Sequence, residues 1–392
     1  MNYNYDMRLM TENFIEIIED CFEQYKLIPP MVPTAGWNIS DNYVWSSVYI
    51  LGVSEMYKSY GSLAYVEEQY ETMKSYATNT ARKIRVNGWV CPDGQLGDWV
   101  SPMGKNKNAA YVESPSEGSG IVGTAMIYMM YNELIDMAKL LGKDEDISTY
   151  EGYLSSIYEA FNAKFYNAEK GYYETTVWTQ YGTRTKFRQT SQIMPLAAGL
   201  VPDEYMESVV SSLISDIEKK GNHLDTGCVG TKFILPVLTD LGYNELAYTI
   251  LTQTTYPSWG FMLDSNSTSL WEMWETTTRS RGHYFLGTYE EWLYSDLAGI
   301  TGAVNGYETF TIKPNIVGDL TYVTSKINTV RGELESSWTL SSDGVVTMKV
   351  RVPFGATATV ICPGEIVSVN GEEKEGYEIT LGSGAYEIIC EK

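Results

Sequence analysis

The chain has 392 residues, of which 50 are Asp or Glu and 28 are Lys or Arg, so its formal net charge is −22. Surfaces that bind nucleic acid or an anionic membrane need clustered cations, so this balance argues against both and favours a neutral ligand. With 44% apolar and 20% charged residues, the composition is that of a globular protein with a large core. No stretch approaches the ~18 uninterrupted apolar residues of a membrane-spanning helix.

The N-terminus and the cysteines indicate a cytoplasmic protein. Residues 1–6 are polar and acidic and lack the basic start and apolar run of a signal peptide. The five cysteines are odd in number, scattered and free of C-x-x-C pairs, so we expect reduced, structural thiols. The two histidines stand in no H-x-x-x-H or H-E-x-x-H frame. We therefore expect neither a metal nor a cofactor.

Up to about residue 300, apolar residues recur at helical spacing with short breaks between segments. Such stripes run through residues 63–73, 124–141, 150–165 and 206–217. Ser62 is placed to cap the first of these helices, and Gly142 and Gly221 follow two others where a left-handed cap is expected. This pattern predicts an array of helical hairpins.

After Ile300 the period of the apolar residues changes from about 3.6 to about 2. The tryptophan count drops from nine before this point to one after it. Apolar and polar residues alternate along 346–352, and Asp343-Gly344 and Asn370-Gly371 are typical of hairpin turns. We predict a mainly α protein with a helical catalytic domain over 1–300 and a small antiparallel β-sandwich over 301–392.

The segment Gly118–Gly123 matches the dinucleotide-binding pattern G-x-G-x-x-G and precedes a predicted helix. The residues before it, 113–117, are predicted to form a loop and not a strand, so no βαβ unit presents the glycines to a pyrophosphate. We expect these glycines to let a long loop turn into the helix.

The tract Trp271-Glu272-Met273-Trp274-Glu275 is the most unusual in the chain. No G-x-S-x-G elbow exists, so acid–base chemistry falls to carboxylates. A sugar site combines aromatic rings, which stack on C–H faces, with carboxylates that move protons. The alternative is a Trp-rich hairpin packed in the core with Glu272 in a salt bridge. Asp98-Trp99 and Asp41 with Trp45 are two further pairs of an acid and a tryptophan.

Several motifs together resemble those of one known family. They are Gln189–Gln192, Gly199–Pro202, His223–Gly227, Gln253–Gly260, Trp271–Trp274 and His283–Phe285 with Gly287. Over about residues 14–340, the chain resembles the bacterial α-L-rhamnosidases of glycoside hydrolase family 78.

The resemblance implies an (α/α)6 barrel of six helical hairpins followed by a β-sandwich, and inverting hydrolysis that releases terminal α-L-rhamnose. It assigns Glu272 as the general base and Asp98 as the acid of a G-D-W motif. It places four further residues around the sugar: Trp45, Trp99, Trp271 and His283. The implied partner is a carbohydrate substrate.

The sequence also departs from the family pattern. It starts after the position of the family's D-E-R-x-G-W-x-G-D motif, which supplies the general acid, and of its N-terminal β-domains. Ser47 stands where a site aspartate is expected, and residues 279–282 read R-S-R-G in place of an Asn-containing stretch. Asp98, Asp41 and Glu275 are candidates for a substitute acid. Asp98 ranks first, because Trp99 beside it would shield it and raise its pKa.

Three hypotheses follow from these departures. The first is that the chain is a rhamnosidase, which is either split from its first hairpin or uses a reassigned acid. The second is a related barrel glycosidase that acts on another sugar. The third is a carbohydrate-binding homologue that lacks a proton donor. An incomplete barrel would expose apolar helix faces. We therefore expect either a homo-oligomer, such as a dimer, or a barrel completed by residues 1–27.

Overall fold

The computed structural model describes residues 2–36, 39–94, 96–102, 116–179 and 182–391. The chain divides into two compact units. The helical unit comprises Ile15–Leu51 and Gln69–Tyr289, and the β unit comprises Met1–Phe14, Gly52–Glu68 and Glu290–Lys392.

Helices account for most of the described chain before residue 300. The α-helices are Arg8–Tyr25, Tyr43–Ser46, Val48–Tyr60, Leu63–Val86, Ser119–Leu140, Asp144–Phe165, Gln189–Ala198, Asp203–Lys219, Cys228–Asp240, Asn244–Leu251, Trp259–Asp264 and Tyr289–Trp292. Tyr284–Gly287 is a 3-10 turn and Leu293–Leu297 is a π-helical turn. Of the described helices, none has both the length and the apolar character needed to cross a membrane.

The predicted helix ends are confirmed where capping residues mark them. The Oγ atom of Ser62 accepts a hydrogen bond from Tyr65 N at 3.2 Å, as an N-cap should. Gly142 and Gly221 follow their helices with φ of +65° and +70°, a conformation that glycine adopts without steric cost. These caps produce the short turns that fold consecutive helices back on each other as hairpins.

The glycine-rich segment begins differently from the prediction. Ser116–Glu117 is a short strand that pairs antiparallel with residues 177–178, so the expectation of a loop is wrong at these two positions. Residues 113–115 lie outside the described residues. A Cβ atom on Gly123 would lie 2.5 Å from Cys91 Sγ. This glycine therefore permits close packing, and an antiparallel strand creates no dinucleotide site.

Short strands also occur in the helical unit. They are Tyr166–Asn167, Tyr172–Tyr173, Thr175–Thr179 and Gly182–Lys186. Thr175–Thr179 and Gly182–Lys186 pair with each other antiparallel, next to the strand at 116–117.

The strands of the β unit form two sheets. A seven-stranded sheet contains Tyr322–Val323, Lys326–Thr329, Gly332–Leu340, Val345–Val352, Glu365–Val369, Glu372–Glu373 and Gly384–Glu391. A four-stranded sheet contains Ile300–Val304, Thr309–Ile312, Thr357–Ile361 and Glu378–Leu381. Val346, Met348, Val350 and Val352 are buried in one core with residues from both sheets, as their alternation predicts.

One strand pair departs from the antiparallel expectation. Thr309–Ile312 and Thr357–Ile361 run parallel. Strands of the other sheet separate these two along the sequence, so the chain returns by a long crossover, which parallel strands require. The predicted turn at Asn370-Gly371 is confirmed, with φ of 53° and 81° between Glu365–Val369 and Glu372–Glu373.

Candidate active site

The tract Trp271–Glu275 is part of a loop formed by residues 270–283, hereafter the Glu272 loop. Hydrogen bonds of its own backbone close this loop. His283 N donates to Leu270 O at 2.9 Å, and Glu272 N donates to Ser280 O at 3.0 Å. These two bonds hold the beginning and the end of the loop side by side. The backbone of Glu272 is therefore fixed by its own loop.

The carboxylate of Glu272 is nearly buried and paired with a cation. The residue is 5% exposed, and Arg279 Nη2 donates to Glu272 Oε1 at 2.7 Å. The arginine side chain is 50% exposed. A buried charge requires such a partner, because desolvation is otherwise unfavourable. Within the described residues, Glu272 Oε2 accepts no hydrogen bond, so it is the oxygen that can engage water or substrate.

The two tryptophans that flank Glu272 are packed in the core. Trp271 is 1% exposed, and the guanidinium of Arg281 lies 4.7 Å from the centroid of its ring. Trp274 is buried, and its Nε1 donates to Thr226 O at 2.9 Å. This arrangement is the core-packed hairpin that the sequence offered as an alternative. It does not support the prediction that Trp271 stacks on a sugar, because neither side of its ring is open.

A more open aromatic cluster lies at the end of the loop. Trp45 is half-buried and stacks on Phe285, with ring centroids 5.9 Å apart and planes 17° from parallel. The centroid of the His283 ring lies 4.0 Å from the centroid of the same phenyl ring. Tyr284, between these two residues, is 73% exposed. Two predicted site residues, Trp45 and His283, therefore meet on Phe285. No role was predicted for Phe285 beyond its place in the H-Y-F motif.

Asp98 is fully buried and accepts hydrogen bonds on both oxygens. The four donors are Thr190 Oγ1 at 2.5 Å, Gly227 N at 2.7 Å, Val229 N at 2.9 Å and Gly230 N at 3.1 Å. Three of them are amides at the start of helix Cys228–Asp240, where the helix dipole favours a negative charge. Burial raises the pKa of Asp98, and the hydrogen bonds oppose this shift only in part.

The turn at 226–230, hereafter the Asp98 turn, is shaped to fit around this carboxylate. A Cβ atom on Gly227 would lie 2.2 Å from Trp99 O, and one on Gly230 would lie 2.3 Å from Thr190 Oγ1. Only glycine can occupy these positions without displacing its neighbours. The raised pKa follows the expectation, but the geometry does not support Asp98 as an acid that donates to substrate, because both oxygens are shielded from solvent and already engaged.

Trp99 lies beside the Asp98 turn and is half-buried. Its carbonyl oxygen accepts a hydrogen bond from Cys228 N at 2.8 Å. Thr226, the first residue of the turn, accepts the bond from Trp274 in the Glu272 loop. The two candidate carboxylates thus belong to neighbouring, hydrogen-bonded segments of the helical unit.

The other two carboxylates considered as substitute acids are also engaged. Lys83 Nζ contacts both oxygens of Asp41 at 2.8 Å. Glu275 is buried, and Tyr256 donates its hydroxyl to Glu275 Oε1 at 2.5 Å. Each of the three proposed acids is thus bound by another group of the protein. Among the described residues, no group of three or more His, Cys, Asp or Glu side chains could hold a metal ion.

The described chain thus combines helical hairpins, a buried carboxylate on a closed loop and, later in the sequence, a β-rich domain. Residues 1–297 match the family model of the bacterial alpha-L-rhamnosidase 6 hairpin glycosidase domain, and residues 299–377 match that of the bacterial alpha-L-rhamnosidase C-terminal domain. The chain therefore belongs to the bacterial α-L-rhamnosidase family. The expected six-hairpin fold followed by a β-rich domain is confirmed.

Individual relatives agree with this family. The chain is 28% identical to an α-L-rhamnosidase of Formosa agariphila over 387 residues, covering 92% of this chain and 40% of that protein. It is 26% identical to an α-L-rhamnosidase of Alteromonas sp. over 382 residues, covering 93% of this chain and 40% of that protein. The structure of the α-L-rhamnosidase from Dictyoglumus thermophilum superimposes with a TM-score of 0.84 at 28% identity, covering 99% of this chain and 44% of that one. The chain thus spans less than half the length of these relatives.

Proposed function

We propose that this chain carries the sugar-hydrolysing part of an α-L-rhamnosidase, which releases terminal α-L-rhamnose from a glycoside or oligosaccharide with inversion. The observation that carries this proposal is the family match over residues 1–297. It is supported by the geometry of the Glu272 loop, which joins a buried carboxylate to the open cluster of Trp45, His283 and Phe285.

In this reaction Glu272 is the general base. Its Oε2 accepts a proton from a water molecule as the water oxygen attacks the anomeric carbon of the sugar. The bond from that carbon to the leaving oxygen breaks, and this oxygen takes a proton from an acid. An inverting enzyme needs space for the water between base and sugar. Glu272 Oε2, which accepts no hydrogen bond from the described residues, meets the requirement for the base.

The open aromatic cluster is the part of the site that would hold the sugar. The half-buried ring of Trp45 can pack against C–H groups, and the imidazole of His283 can hydrogen-bond a hydroxyl. A neutral sugar also suits a chain with a net charge of −22, which would repel anions.

The proton donor is the weakest part of the proposed machinery. Asp98, Asp41 and Glu275 are all engaged by other protein groups. A glycosidase that lacks an efficient acid still cleaves activated aryl glycosides, because a nitrophenolate leaves without protonation, whereas it cleaves alkyl glycosides ~10²–10⁴-fold more slowly. We therefore expect a strong preference for activated substrates in the isolated chain.

The test is hydrolysis of 4-nitrophenyl α-L-rhamnoside by the purified chain and its Glu272→Gln variant. Loss of the base should lower kcat about 10²–10⁴-fold. The matched control is Glu174→Gln, since Glu174 is another ion-paired glutamate of the helical unit, bonded to Lys170 at 2.6 Å. We expect the control to retain wild-type turnover. Proton NMR of the first-formed sugar should show inversion.

Equal turnover in wild type and Glu272→Gln would contradict the assignment of the base. A second function, carbohydrate binding without hydrolysis, is favoured by the complete sequestration of Asp98. It predicts that calorimetry detects L-rhamnose binding while the nitrophenyl substrate stays intact.

A further inference from the structure

Arg279 is held against Glu272 by the backbone of the loop that carries both residues. The hydrogen bond from Glu272 N to Ser280 O places Arg279, the preceding residue, across from Glu272. Its Nη2 atom then reaches Glu272 Oε1 at 2.7 Å. The ion pair is therefore built into the loop and is not a chance contact between distant surfaces.

The two partners differ in their surroundings. The Glu272 side chain is 7% exposed and that of Arg279 is 50% exposed. The arginine thus reaches from solvent onto a buried carboxylate, and the bond that the structure describes between them joins Nη2 to Oε1. A cation bonded to Oε1 restricts the rotation of the carboxylate, so that Oε2 remains the acceptor for water.

We propose that Arg279 is a positioning residue that orients Glu272 for proton abstraction from the attacking water. This inference rests on the proposed function. Arg279 acts through Glu272 and need not touch the sugar. Its contribution is the placement of Oε2, and a misplacement of about 1 Å at a reacting group can lower the rate ~10²-fold.

Arg281 provides a matched control in the same loop. Its guanidinium lies over the ring of Trp271 and donates to Thr276 O at 2.7 Å. Within the described residues it forms no ion pair with a carboxylate. Arg279→Gln and Arg281→Gln therefore remove the same charge from the same loop, but only the first removes a partner of Glu272.

The first experiment measures kcat and KM for 4-nitrophenyl α-L-rhamnoside in these variants. We expect Arg279→Gln to lower kcat by about 30–100-fold with KM changed less than about 3-fold, because the sugar contacts remain. Arg281→Gln should keep wild-type kinetics. Arg279→Lys should recover part of kcat, since an ammonium restores the charge but not the planar fork. Guanidinium ion added at millimolar concentration should partly rescue Arg279→Ala.

A double-mutant cycle separates positioning from a loss of folding. In the Glu272→Gln background, Arg279→Gln should cause no further loss of kcat, because the residue that it orients is gone. Melting temperatures of all variants are measured alongside. An Arg279→Gln protein that melts like wild type but turns over slowly supports positioning. Equal additional losses in both backgrounds would overturn it.

The outcomes for the two proposals are distinguishable. Wild-type kinetics in Arg279→Gln, with turnover lost in Glu272→Gln, would overturn the role of Arg279 and leave the proposed function intact. A wild-type protein that neither hydrolyses the nitrophenyl substrate nor binds L-rhamnose would overturn both. A positioning charge should be replaceable. Slow turnover in Arg279→Gln, with no recovery in Arg279→Lys and none when guanidinium is added to Arg279→Ala, would therefore also contradict the inference.

Discussion

The Asp98 turn and the Glu272 loop hold their buried carboxylates in opposite ways. Asp98 is fully buried, and its four donors are three backbone amides and one hydroxyl. Among the described residues, Glu272 has one side-chain partner, Arg279, which is half exposed. Both carboxylates stand beside a tryptophan in the sequence, so composition and spacing make them look alike.

We infer from this difference which of the two buried acids can take part in a reaction. Backbone amides at a helix start cannot move away, so a carboxylate bound by several of them serves to hold structure together. A carboxylate with one side-chain partner retains an oxygen for water. We therefore propose that Asp98 belongs to the framework around Trp99 and that Glu272 takes part in the reaction.

The largest expected effect is on the stability of an Asp98→Ala variant. Removal of the carboxylate leaves the amides of Gly227, Val229 and Gly230 buried without an acceptor, which should lower the free energy of unfolding by about 3–5 kcal/mol. Glu272→Gln should lower it by less than about 1 kcal/mol, because water can solvate the half-exposed Arg279. Urea denaturation followed by circular dichroism measures both. Similar losses in the two variants would remove the distinction between framework and reactive carboxylate.

Removal of a single hydrogen-bond donor to Asp98 should lower the free energy of unfolding by a smaller amount. Thr190→Val keeps the shape of the side chain but removes the hydroxyl that donates to Oδ2. Because this bond is charge-assisted, its loss should cost about 1.5–3 kcal/mol. Thr190→Ser, which keeps the hydroxyl, is the control and should lose clearly less in the same urea experiment. If the two variants are equally stable, the hydroxyl contributes nothing and the amides alone hold Asp98.

Regular structure could be predicted from the sequence, because the patterns that determine it are local. Ser62, Gly142 and Gly221 mark helix ends by their own hydrogen-bonding and backbone preferences. Alternation along 346–352 likewise predicts which side chains of that strand are buried. The family motifs added the six-hairpin fold, which local periodicity alone does not specify.

The environment of each candidate acid could not be predicted in this way. The donors to Asp98 lie 92 to 132 positions further along the chain, so only the tertiary structure shows that they converge. Arg279 is seven positions from Glu272, but the sequence does not distinguish it from Arg281, which contacts a ring. Burial of Trp271 follows from packing on all sides, which spacing does not reveal.

The smallest expected effect is the pH dependence of stability that Asp98 contributes. Burial raises its pKa above the ordinary value of 3.8, which it keeps in the unfolded chain. Between these two values the folded protein binds more protons than the unfolded one, so the free energy of unfolding falls as the pH rises through this window. The slope from one group is at most about 1.4 kcal/mol per pH unit.

Asp98→Asn has no group to titrate at this position, so it should lack this contribution. The difference in unfolding free energy between wild type and Asp98→Asn should therefore decrease as the pH rises just above 4 and become constant at higher pH. Urea denaturation at half-unit pH steps, with Glu174→Gln as a control for general charge effects, measures it. A difference that does not vary with pH would mean that the four donors fully compensate the cost of burying the charge. The contrast with Glu272 would then rest on the fixed backbone donors alone, and not on the energetic cost of the buried charge.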